Sequence, residues 1–178
     1  MTSYQLRAAN PAKTRADAVV VGVLQHDKGA VLAPGGEDVG KAYGRKLRPL
    51  LASLGVTGKA GEVHRVPTSG ALSSPLLVLV GIGRETDQVA VRRAAGAAAR
   101  AVTNAASVAL ALPADTPGLV RAVTEGHALG GYTFTTYKKE TKDTAPGTVT
   151  VLSPIARQHP RLGEHAALAA CRSSPRRA

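Results

Sequence analysis

Short apolar, β-branched runs alternate along this chain with longer stretches in which apolar positions recur at helical spacing. Ala18-Val-Val-Val-Gly-Val-Leu24 is apolar throughout and has no helical period, as expected of a strand buried on both faces. Leu76–Val80 and Ser107–Leu112 read the same way, closed by Gly81-Ile-Gly83 and by Pro113. Tyr4–Ala8, Glu62–Val66 and Thr148–Leu152 are further strand candidates. His26-Asp-Lys-Gly29 turns the chain toward a short return strand at Val31-Leu32.

Three stretches carry the helical period. Glu37–Leu54 places Val39, Tyr43, Leu47, Leu50, Leu51 and Leu54 near one face, with Gly55 as a stop. Pro49 removes a hydrogen bond and clashes one turn back, so a break or kink is predicted near it. Gln88–Ala105 is Ala-rich, has Thr86 or Asp87 available as a cap, and turns Arg92, Arg93 and Arg100 outward. Thr116-Pro117 opens the third helix, which carries Leu119, Val120, Val123 and Ala128 to Gly130-Gly131.

Strands alternating with helices predict an α/β domain over residues 1–154. Its sheet is mixed and largely parallel, with about six strands flanked by three helices. Beyond Pro154 the pattern fades, although Leu162–Ala170 is compatible with a helix. Residues 155–178 are predicted to be a disordered basic tail, since few bulky apolar side chains offset the entropy of ordering.

Composition narrows the picture. Hydrophobic residues make up 44% of the 178, enough for one core, while aromatics are 3% and Trp is absent. The core must therefore be filled by small aliphatic side chains. No apolar run approaches the roughly 20 residues that span a bilayer, and Met1–Asn10 lacks an apolar signal region. One cysteine, Cys171, permits no internal disulfide and fits a reducing compartment; it reads as a tail residue or, less simply, as a reactive thiol. Together these features predict a soluble cytoplasmic protein with no membrane partner.

The net charge of +11 changes the picture further. Residues 157–178 hold five arginines against one glutamate, a net +4. The remainder is spread, with clusters at Lys41–Arg48, Arg92-Arg93 and Lys138–Lys142. Such a surface is either simply solvated or binds nucleic acid weakly and without base readout.

Candidate chemistry is thin. Val80-Gly-Ile-Gly83 after a strand and before a helix is half of a dinucleotide fingerprint, but Thr86 stands where the third Gly belongs. A tight strand-to-helix turn is the simpler reading, with a phosphate on the helix N-terminus as the sharper one. The histidines at 26, 64, 127, 159 and 165 form no H-x-x-x-H or H-E-x-x-H pattern. The carboxylates are too scattered for a two-metal site, and Ser69, Ser73 and Ser74 lie in no G-x-S-x-G elbow. No catalytic, cofactor-binding or metal-ligating residue is assigned.

The most distinctive stretch is Glu125-Gly-His-Ala-Leu-Gly-Gly-Tyr-Thr-Phe-Thr-Thr-Tyr-Lys138, which ends a helix at a Gly pair and then gathers Tyr132, Phe134 and Tyr137. It reads as a packing hinge or, alternatively, as aromatics that stack on nucleic acid. Its pattern E-G-x-x-L-G-x-Y-x-F-x-x-Y-K resembles the end of the N-terminal domain in the leucyl aminopeptidase family, the cytosol aminopeptidases. Gly58-Lys-Ala-Gly-Glu62, Leu76–Gly83 and Val91–Arg100 are similar to further pieces of that domain in the same order, so the resemblance spans roughly Ala18 to Ser153.

The resemblance implies a macro-domain-like α/β fold for this chain. In the family a larger C-terminal domain, carrying an N-T-D-A-E-G-R-like segment, binds two divalent metals, usually zinc or manganese. It hydrolyses N-terminal residues such as Leu from peptides. Members are usually cytosolic hexamers, and some bacterial ones bind DNA. No such segment occurs here, so no catalytic residue carries over. The chain is expected to be the non-catalytic N-terminal domain, inactive alone and meeting peptides only through the missing domain, with the Arg- and Ser-rich ending a mark of truncation or frameshift. A homo-oligomer is expected by the same resemblance. The alternative is a free-standing macro-like module that binds a nucleotide or nucleic acid through its basic surface.

Overall fold

Strand β2 (Ala18–His26) is the spine of the sheet, and Ala18 to Val21 and Val23 are fully buried in it. The structure, a computed structural model, describes residues 2–27, 29–131 and 145–157. Six further strands complete the sheet: β1 (Ser3–Arg7), β3 (Gly29–Leu32), β4 (Val63–Pro67), β5 (Leu76–Gly83), β6 (Ser107–Ala111) and β7 (Thr148–Leu152). Their spatial order is β1-β7-β6-β2-β5-β4, with β3 paired to the far end of β2. All neighbours from β1 to β5 are parallel, while β4 and β3 pair antiparallel. The sheet is thus mixed and largely parallel, with the return strand β3 bringing the expected six strands to seven.

Side-chain alternation sorts the core onto two faces. Val20, Val78, Val80, Val108, Leu110, Val149 and Val151 face α3 (Gln88–Ala101) and α4 (Pro117–Gly130). Val19, Val21, Leu77 and Leu79 face the other way, toward Val39, Tyr43, Leu50, Leu51 and Leu54. The caps follow local chemistry: Asp87 accepts from the Ala90 amide at 2.6 Å, and Thr116 from that of Leu119 at 3.3 Å. Helix α3 ends at Ala101, four residues short of expectation, and Asn104 turns the chain in the left-handed region at φ 63°.

The expected break near Pro49 is displaced. Residues 37–54 form α1 (Glu37–Tyr43), a 3-10 turn (Gly44–Lys46) and α2 (Leu47–Ser53). Breaking at Gly44 puts Pro49 in the first turn of α2, where its missing N–H has no helical acceptor to serve. A 3-10 turn, Pro154–Arg157, follows β7, and Ile155 packs on the core. The rest of the expected tail, with His159, His165 and Cys171, lies outside the described residues, as do Tyr132, Phe134 and Tyr137.

Candidate functional site

Gly81-Ile-Gly83 does not make a phosphate turn. Strand β5 continues through it to Gly83, and the Gly58–Gly61 turn lies directly across it. The Gly81 amide donates to the Glu62 carbonyl at 2.7 Å, and the Gly83 amide to that of Gly58 at 2.9 Å. The amides that would cradle a phosphate are therefore already used. A Cβ on Gly81 would overlap the Lys59 carbonyl, so the glycine serves close backbone approach. Downstream, the Asp87 carboxylate already occupies the N-terminus of α3, which disfavours a phosphate there too.

The same turn carries an ordered carboxylate. Glu62 accepts hydrogen bonds from Thr57 Oγ1 at 2.6 Å, the Thr57 and Lys59 amides at 3.0 Å each, and His64 Nε2 at 2.7 Å. Burial opposes its charge, but the bonds from Thr57, His64 and Lys59 outweigh it and bring the carboxyl pKa down to about 2. The only signal of the Glu62–His64 pair in the chain is its i, i+2 spacing, which puts both on one strand face. A carboxylate orienting an imidazole also occurs in hydrolytic sites, yet the hydroxyl at hand, Thr57 Oγ1, is bound to the carboxylate and not to the imidazole. The arrangement ties the α2–β4 connection to the sheet.

Open α/β sheets bind ligands outside the carboxyl ends of their strands. Here that position is a crevice of about 470 Å³ beyond β1, β6 and β7, bordered by Asn10, Gly35, Glu37, Asp38, Asp115 and Arg157. Glu37 turns back to accept from the Gly35 amide at 2.9 Å, and Asp38 pairs with Lys41 at 3.1 Å. Three carboxylates against one guanidinium give the crevice the wrong sign for a phosphate. Ser153 beside it is held as well, its hydroxyl donating to the Ala114 carbonyl.

The remaining candidates are structural. Ser74 Oγ donates to the Thr14 carbonyl at 3.0 Å, and Ser69 sits in a turn with φ 49°. His127 is buried in α4 against Tyr4. A two-metal centre needs several carboxylates around one cavity. Among the described residues no three His, Cys, Asp or Glu side chains come together in a way that could hold a metal ion, so these residues do not fit one. Among them too, no helix is long and apolar enough to cross a membrane.

Residues 20–141 match the family model described as the cytosol aminopeptidase family, N-terminal domain. The chain belongs to that family. It is 45% identical over 152 residues to a probable cytosol aminopeptidase of Streptomyces griseus, covering 82% of this chain and 30% of that protein. A probable cytosol aminopeptidase of Micrococcus luteus is 45% identical over 130 residues, or 70% of this chain and 25% of the relative. The chain thus spans about 30% of the length of the curated relatives it matches.

Solved structures agree in fold. A tomato leucine aminopeptidase superposes with a TM-score of 0.66 at 16% identity, over 94% of this chain and 36% of its own. A bottromycin maturation enzyme in complex with manganese gives 0.61 at 24%, over 87% and 30%. Within this cytosol aminopeptidase domain the described part of the Glu125–Lys138 pattern has a packing role. A Cβ on Gly126 would overlap the Arg92 carbonyl, and one on Gly130 that of Gly96, so α3 and α4 touch backbone to backbone. Glu125 beside them bridges Arg92 at 3.2 Å and Arg121 at 2.6 Å.

Proposed function

We propose that this chain serves as the non-catalytic N-terminal domain of a cytosol aminopeptidase. The chemistry would then lie in a C-terminal domain holding two divalent metals, zinc or manganese, which removes N-terminal residues from peptides. The observation that carries this reading is the match to the N-terminal domain model together with coverage of about 30% of the relatives. The crevice at the strand ends supports it, since its one hydroxyl, that of Ser153, is tied to the Ala114 carbonyl and its carboxylates form no metal-holding cluster among the described residues. The domain's work would be assembly and shaping access to the catalytic part, in a macro-like fold. The test is a leucine p-nitroanilide assay of the purified chain with added manganese or zinc. No turnover above blank is expected; turnover abolished by a chelator would overturn the reading.

A second reading, binding of nucleic acid by the chain alone, is supported by one other surface. Among the described residues the β1–β7 ladder is covered by helices on one face only. Its other face turns Gln5, Arg7, Thr148 and Thr150 into a shallow groove of about 500 Å³, joined by Lys13 and Arg15. No carboxylate lines that groove among the described residues, and Asp17 nearby is bound to Ser107. Parallel ladders are usually covered on both faces, and three cations beside hydroxyl groups suit a phosphate backbone.

A further inference from the structure

The seam between α3 and α4 carries a surface that neither reading uses. Because Gly96, Gly126 and Gly130 bring the helix backbones into contact, a groove of about 360 Å³ opens along the seam, with the Arg100 guanidinium reaching over Gly96. Arg93 and Arg100 line it from α3 and are both exposed, and no carboxylate pairs with either among the described residues. They stand seven positions apart, two helical turns, which puts them on one face about 10 Å apart along the axis. The carboxylate of Glu125 is already shared by Arg92 and Arg121, so the positive charge of the other two stands uncompensated among the described residues. Arg92 adds a buried Nε with no hydrogen-bond partner among the described residues.

The rim is also apolar. Val89 and Leu129 line the groove and are 56% and 57% exposed, two of the three large hydrophobic side chains exposed among the described residues. Arginine beside exposed aliphatic groups, over a floor of bare backbone, has the composition of a protein-contact surface. A nucleic-acid backbone would use the guanidinium groups but leave Val89 and Leu129 uncovered.

We propose that the α3–α4 groove docks an acidic amphipathic segment of a partner polypeptide. Its carboxylates meet Arg93 and Arg100, and its aliphatic side chains cover Val89 and Leu129. The glycines of the floor let that segment approach the helix backbones closely beside Arg100.

The test uses the full chain and a fluorescein-labelled helical peptide with two glutamates seven residues apart and leucines on the same face. Binding is read by fluorescence anisotropy. Saturable binding is expected, weakened about tenfold by Arg93→Glu/Arg100→Glu and about threefold by Leu129→Ser. Arg93→Gln/Arg100→Gln should give a smaller loss, and serves if the charge reversal unfolds the chain, which far-UV circular dichroism reports. The reversal Lys46→Glu/Arg48→Glu changes net charge equally on the opposite helical layer and should leave peptide binding within about twofold. Equal weakening by that control would reduce the effect to net charge and overturn the proposal. So would absence of saturable binding up to about 1 mM peptide. Binding of a duplex DNA that depends on Arg93 and Arg100 but not on Leu129, with the peptide inert, would overturn it in favour of nucleic acid.

Discussion

The hydroxyl of Tyr4 on β1 lies 3.0 Å from Nδ1 of His127 on α4, with the two rings edge to face at 79°. The contact joins positions 123 residues apart and closes one edge of the core. His127 Nε2 is buried and has no partner among the described residues. Burial of the imidazole lowers its pKa from 6.5 to about 4, and burial of the phenol raises that of Tyr4 to about 12.

This pair predicts a stability profile that falls off in mild acid. Above pH 6.5 both folded and unfolded chains hold His127 neutral. Below it the unfolded chain takes up a proton that the folded one refuses until about pH 4. Stability is therefore lost across that window, by about 3 kcal/mol in all. Tyr4 has the mirror effect, its contribution being present below pH 10 and lost as pH rises toward 12. Urea unfolding followed by circular dichroism should show the acid slope, and His127→Leu should flatten it. The same slope in the variant would assign the effect elsewhere.

Glu62 acts in a lower window. Its folded pKa of about 2 lies below the ordinary 4.5, so its contribution is present above pH 4.5 and lost as pH falls toward 2. Glu62→Gln retains the shape but loses the charge that four donors address. A loss of about 2 kcal/mol at neutral pH is expected, since bonds to charged groups are worth about that each way. The variant should also have a flatter stability profile below pH 4.5. A variant as stable as the parent would mean that the turn does not depend on the carboxylate.

Gly126→Ala tests the helix seam. The added methyl overlaps the Arg92 carbonyl, which belongs to a helix backbone and has little freedom to give way. Overpacking of this kind costs about 1–3 kcal/mol. The expected result is a lower urea midpoint with an unchanged slope, and an unchanged midpoint would show that α4 shifts freely on α3.

The basic surface predicts weak, salt-sensitive binding to duplex DNA without sequence preference. Counterion release makes affinity fall steeply with salt. Replacing Arg7, Lys13 and Arg15 by Gln should reduce the log–log salt slope by up to about 2.7, the value for three phosphate contacts. Deleting residues 157–178 removes a net +4 and should flatten it further. Anisotropy titrations of two unrelated duplexes at two salt concentrations measure this. A preference for one duplex that survives the higher salt would contradict a purely electrostatic mode and point to base readout.

Much of the architecture was legible along the chain because its signals are local. Apolar runs such as Ala18–Leu24, breakers such as Pro113, and caps such as Asp87 and Thr116 act on their immediate neighbours, so strands and helices could be placed from them. The Pro49 break was misplaced for a local reason as well, since a helix that restarts at Leu47 accepts a proline in its first turn. The Glu125–Lys138 pattern identified the family but did not reveal why its glycines are there.

The α/β class, the boundaries of most elements and the family resemblance can be read along the chain, because they depend on neighbouring residues and on residue order. Three-dimensional packing was needed to see that Gly81 admits the Gly58–Gly61 turn and has its amide taken by it, and that Gly126 seats α4 on the backbone of Arg92. It likewise decided that His127 is buried beside Tyr4, and that Arg93 and Arg100 border an open seam with Leu129. The physical reason is the same in each case. Whether a glycine frees a turn or admits a neighbour, and whether a charge is solvated or shut in, depends on what folding brings across from distant parts of the chain.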